Sequence, residues 1–331
     1  MKTNFTKILV GALVTMASIQ ISQAQDPDEV FRNSQEDGIN YLGKYFEPAI
    51  ISASNGLANG WNNTAKPHKL FGFDITATIS VAGIPDADYL FTFRNEDYNT
   101  LRLSSGTEAE IPTFAGGDPD PSIQLEAYEA NTGVTTSTFD PISGIGLEDI
   151  PVVRAGVPII LGNIGVGLPK NTELRVRFSP VSSIGDDISI DGSFGVGVLH
   201  DIKQWIPGMK LFPMDISAFV GHNRYRFAYN DGEGNDAEFK SSATNFQVLA
   251  SKKLLFFTPF VGLGFNAINS TLSFSSEDAN VDNAEFVYDN LGGGRLTVGA
   301  RLKILWVLAL SVDYTVQKYN TLNIGLGINV R

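Results

Sequence analysis

The last eleven residues, Thr321 to Arg331, read TLNIGLGINVR, and ten of them alternate without exception. Leu322, Ile324, Leu326, Ile328 and Val330 are apolar, while Thr321, Asn323, Gly325, Gly327 and Asn329 are small or polar. Successive side chains of an extended chain point to opposite sides, so this pattern builds one strand with two chemically distinct faces. The split recurs upstream. Phe71, Phe73, Ile75, Ala77, Ile79 and Val81 oppose Gly72, Asp74, Thr76, Thr78 and Ser80; Leu174, Val176 and Phe178 oppose Arg175 and Arg177; Leu296, Val298, Ala300 and Leu302 oppose Arg295, Thr297, Gly299 and Arg301.

Alternation fits a soluble sandwich with its apolar face inside and a membrane barrel with that face outside. Two features favour the barrel. Aromatic residues gather near strand ends, at Phe71, Phe178, Trp306, Tyr314 and Tyr319, where a bilayer interface recruits them. The polar face is rich in Gly, Ser, Thr and Asn, whereas a soluble exterior carries more Lys and Glu. The connections sort in the same way. Two long ones, Asn230 to Ser241 and Ser276 to Gly293, are acidic and read as loops, while the short ones and the HDIKQWIPGMKLFP link hold Lys170, Lys203, Lys210, Lys252 and Lys253. With both termini periplasmic, the acidic loops face outward.

The first 24 residues have Lys2 and Lys7, an apolar run from Ile8 to Ile19, and Ser22-Gln23-Ala24 as a small-x-small site, which together read as a secretory signal. That run is too short for a spanning helix of about 20 residues, and nothing after Ala24 approaches that length. Removing Lys2 and Lys7 leaves 22 basic against 36 acidic residues, a charge of −14 that argues against a nucleic-acid partner. An exported chain without cysteine takes its stability from a large sheet or core.

The expected fold is therefore all-β: a transmembrane, antiparallel up-and-down barrel over residues 68–331, in a bacterial outer membrane and in contact with its lipid. Ten strands are clear. YLFTF (Tyr89 to Phe93) and SIQLEAYEA (Ser122 to Ala130) either join the wall or belong to a large outer excursion. Twelve strands is the expectation, within an even range of ten to fourteen. Residues 25–67 lose the two-residue period: Phe31, Leu42 and Phe46 fall at helical spacing, Pro48 is placed to open a second helix, and Ala49, Ser52, Ala53, Ser54 and Gly56 suit close packing. With Trp61, these residues make the segment either a short helical plug in the lumen or a periplasmic strap.

Inward-facing charges are mixed, with Asp74, Asp191, Asp215 and Asp313 against Arg175, Arg177, Arg295 and Arg301, which favours ion pairs or plug contacts over ion selectivity. His68, His200 and His222 are the three histidines, and no triad, metal-ligand spacing or phosphate loop accompanies them. The chain is accordingly read as a non-enzyme, with no cofactor and no metal. Between Met214 and Tyr229 the apolar phase of Ile216, Ala218 and Val220 shifts to that of Tyr225, Phe227 and Tyr229. The break, at Gly221, His222 and Asn223, marks either a bulge or a strand leaving the membrane.

HKLFGFDIT, GLPKNTELRVRFSP and LHDIKQWIPGMKLFPMDIS together resemble an uncharacterised outer-membrane family common in Bacteroidota, HDIKQWIP being the most specific part. An amino-terminal segment ahead of a barrel is also similar in architecture to the FadL fatty-acid transporter family, whose plug blocks the barrel and whose cargo leaves sideways. That resemblance implies a barrel binding or passing a small hydrophobic molecule. The alternative is a closed structural or adhesion barrel whose acidic outer loops bind a ligand, and the third reading is a membrane hydrolase.

Overall fold

Hydrocarbon does not tolerate unpaired backbone groups, so alternating strands of this kind must close on themselves. The computed structural model describes residues 30, 33–146, 156–180, 183–184, 188–190, 193–230, 235–276, 281–304 and 307–330. The signal segment, Phe31, Asp191 and Trp306 lie outside the described residues. A helix, α1 (Gln35–Ala58), precedes the first wall strand, β1 (Phe73–Gly83). An excursion follows with β2 (Leu90–Arg94), β3 (Leu101–Leu103), β4 (Glu108–Pro112), β5 (Leu125–Tyr128) and β6 (Thr135–Phe139). The wall resumes with β7 (Gly156–Leu168) and β8 (Thr172–Phe178), passes the two-residue β9 (Ser183–Ile184) and β10 (Ile188–Ser189), and continues through β11 (Phe194–Asp201), β12 (Asp215–Asn230), β13 (Asn235–Ser251) and β14 (Phe257–Ser276). After a spur, β15 (Val281–Tyr288), the wall ends with β16 (Gly293–Ile304), β17 (Leu308–Val316) and β18 (Thr321–Val330).

Each wall strand pairs antiparallel with the next, and β18 closes onto β1, which makes ten strands. The expectation of twelve is corrected. YLFTF is β2, paired with β4, and SIQLEAYEA contains β5, held between β3 and β6. Both alternate because they too bury one face, but their 5 and 4 residues are half the length of a spanning strand, which needs about 9–11.

The orientation of the faces is inverted relative to a soluble sandwich. Ile75, Ile79, Val248, Phe265, Leu326 and Ile328 are exposed on the outside, whereas Thr76, Thr78, Ser80, Gln247 and Asn323 are buried within. One end of the barrel carries the excursion and β15. The other has links at 169–171, 202–214 and 252–256, so it is the periplasmic end. Phe71, Trp205, Leu211, Leu255 and Phe256 stand exposed around that rim, where an interface accommodates them. Tyr319 does not serve an interface: it is buried at the outer end, its hydroxyl donating to Asp88 Oδ2 at 2.5 Å.

No bulge interrupts β12. Gly221, His222 and Asn223 pair in continuous register with β11 on one side and β13 on the other. What changes is the surroundings. Below His222 the outward face meets lipid and the inward face a polar lumen; above it the outward face meets water, while Tyr225, Phe227 and Tyr229 turn inward into an apolar core. The segments expected to be acidic loops are largely strand for the same reason: β12 and β13 extend to Asn230 and from Asn235, and β15 occupies much of the second.

That core lies beyond the bilayer. It joins Tyr41, Leu42, Tyr45 and Phe46 of α1 to Phe93 and Phe114 of the excursion and to Phe274 and Phe286 of β14 and β15. α1 is one helix of 24 residues with Pro48 inside it, not two. An interior proline costs about 3 kcal/mol, which burial of both flanking turns offsets. The helix starts in the outer domain and ends in the lumen, and residues 59–72 continue as non-helical chain to the periplasmic rim. The described amino-terminal end is thus on the outer side, opposite to the expectation for the amino terminus, whereas β18 ends at Val330 beside Phe73 on the periplasmic side as expected.

Candidate functional site

The last turn of a helix leaves carbonyls without partners and a partial negative charge. α1 has no basic residue in its own last turn. The wall supplies the cations instead. Arg177 Nη1 donates to Leu57 O at 2.9 Å and its Nε to Asn163 Oδ1 at 2.9 Å. Arg295 donates to Ala58 O at 3.4 Å and to Asn59 Oδ1 at 2.5 Å, while Asn245 Nδ2 reaches Ala58 O at 3.2 Å. Lower down, Arg175 donates to Trp61 O and Arg301 to Asn63 Oδ1 at 3.1 Å. All four arginines are buried. Because charged hydrogen bonds are the strong ones, four guanidinium groups gripping residues 57–63 fix this segment far more firmly than apolar packing would.

Trp61 fits a socket made by missing side chains. A Cβ on Gly195, Gly197 or Gly221 would come within 3.0–3.3 Å of its indole. The ring lies 3.8 Å from the Arg177 guanidinium and 5.4 Å, centroid to centroid, from Phe219. Gly60 turns the chain out of the helix at φ +70°, and a Cβ there would meet Thr78 Cγ2 at 2.8 Å. Gly60→Ala combines backbone strain with a wall clash, so we expect a loss of about 1–3 kcal/mol, read as a lower unfolding temperature on heat-shift gels.

At the periplasmic mouth, His68, Asp74 and Glu173 bring three ligand atoms within 4.8 Å of one another. Asn329 Nδ2 donates to His68 Nε2 at 2.8 Å, and Lys303 holds the same amide's oxygen at 3.2 Å, which assigns the ring proton to Nδ1. Nδ1 then donates to Glu173 Oε2 at 2.7 Å, and Arg175 lies 2.7 Å from Oε1. A metal ion would have to displace that proton and compete with Arg175. The cluster is better suited to pinning residue 68 to the wall.

The outer end of α1 is held by a carboxylate. Asp37 is buried and accepts from the backbone of Asn99 at 3.0 Å and from the backbone and hydroxyl of Thr100 at 2.5 and 2.7 Å. Lys44 donates to Asp97 Oδ2 at 2.7 Å, a hydrogen bond that lowers the Asp97 pKa from its ordinary value. Around these contacts the surface is acidic: residues 84–146 hold eleven carboxylates against Arg94 and Arg102, and Asp86, Glu96, Glu108, Glu110, Asp118 and Glu129 are exposed.

The structure thus brings Asp74, Arg175, Arg177, Arg295, Arg301 and Asp313 together in the lumen, as parity implied, with Asp215 at its periplasmic edge, 3.6 Å from Lys66. Leu42 and Phe46 are buried in the outer core rather than the lumen, whereas Trp61 is a true plug residue. His222 points outward, its Nδ1 2.9 Å from Thr244 Oγ1. Glu173 is a lumen residue outside the expected set, although it shares the parity of Arg175 and Arg177, and Asn329, expected on the polar face, is the wall residue that holds His68.

A closed wall with a lipid belt and a lumen occupied by the chain's own amino-terminal segment defines a transmembrane β-barrel of the bacterial outer membrane. The chain belongs to a family of unknown function, DUF6588, whose model matches residues 1–330. No curated protein matches it. Among solved structures it is similar to Ail, the attachment invasion locus protein of Yersinia pestis, solved with the heparin analogue sucrose octasulfate (9% identity, 79% of this chain and 99% of that one, TM-score 0.29). It is also similar to the translocator domain of the autotransporter NalP from Neisseria meningitidis (10%, 84% and 93%, 0.30) and to the transport unit of the autotransporter AIDA-I from Escherichia coli (9%, 86% and 99%, 0.27). Scores this low carry no argument, and the fold rests on the strand pairing above.

Proposed function

We propose that this protein is a closed membrane anchor that displays an acidic binding domain at the cell surface. The observation that carries this reading is the burial of the polar wall residues, from Thr78 and Asn163 to Arg295 and Thr297, against a plug held by four arginines. A water-filled channel leaves such side chains wet. The displayed domain is built from the excursion, the outer half of α1 and the projecting ends of β12 to β15, and its charge favours a cationic ligand and repels polyanions.

Passage of a small hydrophobic molecule is the competing function for a plugged barrel, and it requires the arginine contacts to break and re-form. Planar-bilayer recording separates the two. The anchor reading expects no channel activity from the full mature chain across the range of voltages in which porins conduct. Stable unitary conductance, or uptake of a hydrophobic fluorophore into proteoliposomes above the protein-free rate, contradicts it.

A further inference from the structure

We propose that the outward face of β12 to β14, directly above the lipid belt, binds the anionic, phosphate-bearing headgroup of an outer-leaflet lipid. Val220, Phe246 and Phe265 form one hydrogen-bonded row of exposed apolar side chains. The next outward row is His222, Thr244 and Ala267, followed by Arg224, Ser242 and Asn269, and then Arg226, Lys240 and Thr271. At barrel tilt each row rises by about 5 Å, and a headgroup layer is about 5–7 Å deep. Arg224 therefore stands about 10 Å above the Val220, Phe246 and Phe265 row, and its side chain reaches the headgroup layer by bending down. Arg226 and Lys240 stand one row higher, within reach of long side chains that bend down toward the interface.

Charge makes this patch distinctive. The outer half of the protein is strongly acidic, and three of its other basic side chains are matched, Lys44 with Asp97, Arg94 with Glu108 and Arg102 with Glu126, while Lys318 stands by itself on the β17–β18 link with no ion pair among the described residues. Here Arg226 and Lys240 share one carboxylate, Glu238, and Arg224 makes no ion pair among the described residues. The three cations border a cleft of about 350 Å³ whose floor includes Ser242, Asn269 and Thr271 and whose far side holds Asp289. Three positive charges against two negative ones leave a net positive site.

Geometry selects a lipid. A free anion would meet only the cations and the polar floor of the cleft, whereas a molecule with a phosphate head and acyl chains also meets Phe246 and Phe265, two rows below Arg224 and three below Arg226 and Lys240. Guanidinium forks match phosphate oxygens in pairs, and the low-dielectric boundary strengthens each contact.

Native mass spectrometry of the full mature chain, in detergent doped with equal phosphatidylglycerol and phosphatidylcholine, tests the proposal. The native chain should retain the anionic lipid several-fold over the zwitterionic one. The Arg224→Gln/Arg226→Gln/Lys240→Gln variant should lose about tenfold or more of that retention, while Lys252→Gln/Lys253→Gln at the periplasmic rim should retain it. Glu238→Gln, which frees two cations, should retain more. These side chains point outward, so the heat-shift of each variant on gels should match the native chain. Equal retention by the triple variant, no preference between the lipids, weaker retention by Glu238→Gln, or displacement by inorganic phosphate at the lipid's own concentration would each overturn the assignment.

Discussion

Replacing Arg177 and Arg295 together with alanine should release the plug from the wall. Each side chain is buried and donates to a carbonyl at the end of α1, and each also binds a wall amide, Asn163 or Asn266. A hydrogen bond to a charged group contributes about 1.5–3 kcal/mol, so the pair should cost about 5 kcal/mol. The loss should fall on the plug rather than on the ring, because the strand ladders are untouched. The expected result is a folded barrel by heat-shift gel that now shows flickering conductance in planar bilayers. Lysine at both positions should restore less than half of the closure, since an ammonium keeps the charge but not the fork that spans two acceptors. Native-like silence from the alanine pair would mean that packing, not the arginines, holds the segment.

Asp37→Ala should have the second-largest effect, at the other end of the same helix. The carboxylate is fully buried, accepts from two successive backbone amides and a hydroxyl, and lies in the first turn, where negative charge is favoured. Removing it leaves those donors buried without an acceptor, a loss of about 3 kcal/mol confined to the outer domain. Limited proteolysis of the purified protein should then cut within residues 84–146 at protease levels that leave the native chain intact, while the ten-stranded wall stays resistant. Equal resistance of both proteins would place the domain's stability elsewhere, in the aromatic core around Phe46 and Phe114.

These two arginines and this aspartate show how much the sequence reveals and where it stops. Parity on strands such as Thr321 to Val330 assigned the lipid face and the lumen face correctly, because hydrocarbon and an occupied axis impose opposite demands on adjacent residues. Parity carries no information about height. It therefore could not separate β2 and β5, which alternate against an outer core, from true wall strands, and length was the better guide. At His222 it left open a bulge or a strand leaving the membrane, and the continuous register of β12 accords with the second, a change of environment rather than of backbone. Gly221 looked like part of that irregularity and is instead space for Trp61. The composition of α1 implied two short helices split at Pro48, since local rules cannot foresee a helix braced on all sides. The direction in which the plug threads the barrel left no trace in any local pattern.

The direction in which the plug threads the barrel can be read from which of its ends is open to the outside. The chain has no cysteine, so single probes at Glu36→Cys, before the helix enters the barrel, and Lys69→Cys, where the segment leaves it, are unambiguous; both positions are exposed. Intact cells treated with a membrane-impermeant maleimide should label Glu36→Cys fully and Lys69→Cys only after the outer membrane is permeabilised. Labelling of Lys69→Cys on intact cells, or silence at Glu36→Cys, would contradict a lumen closed by a segment that enters from outside.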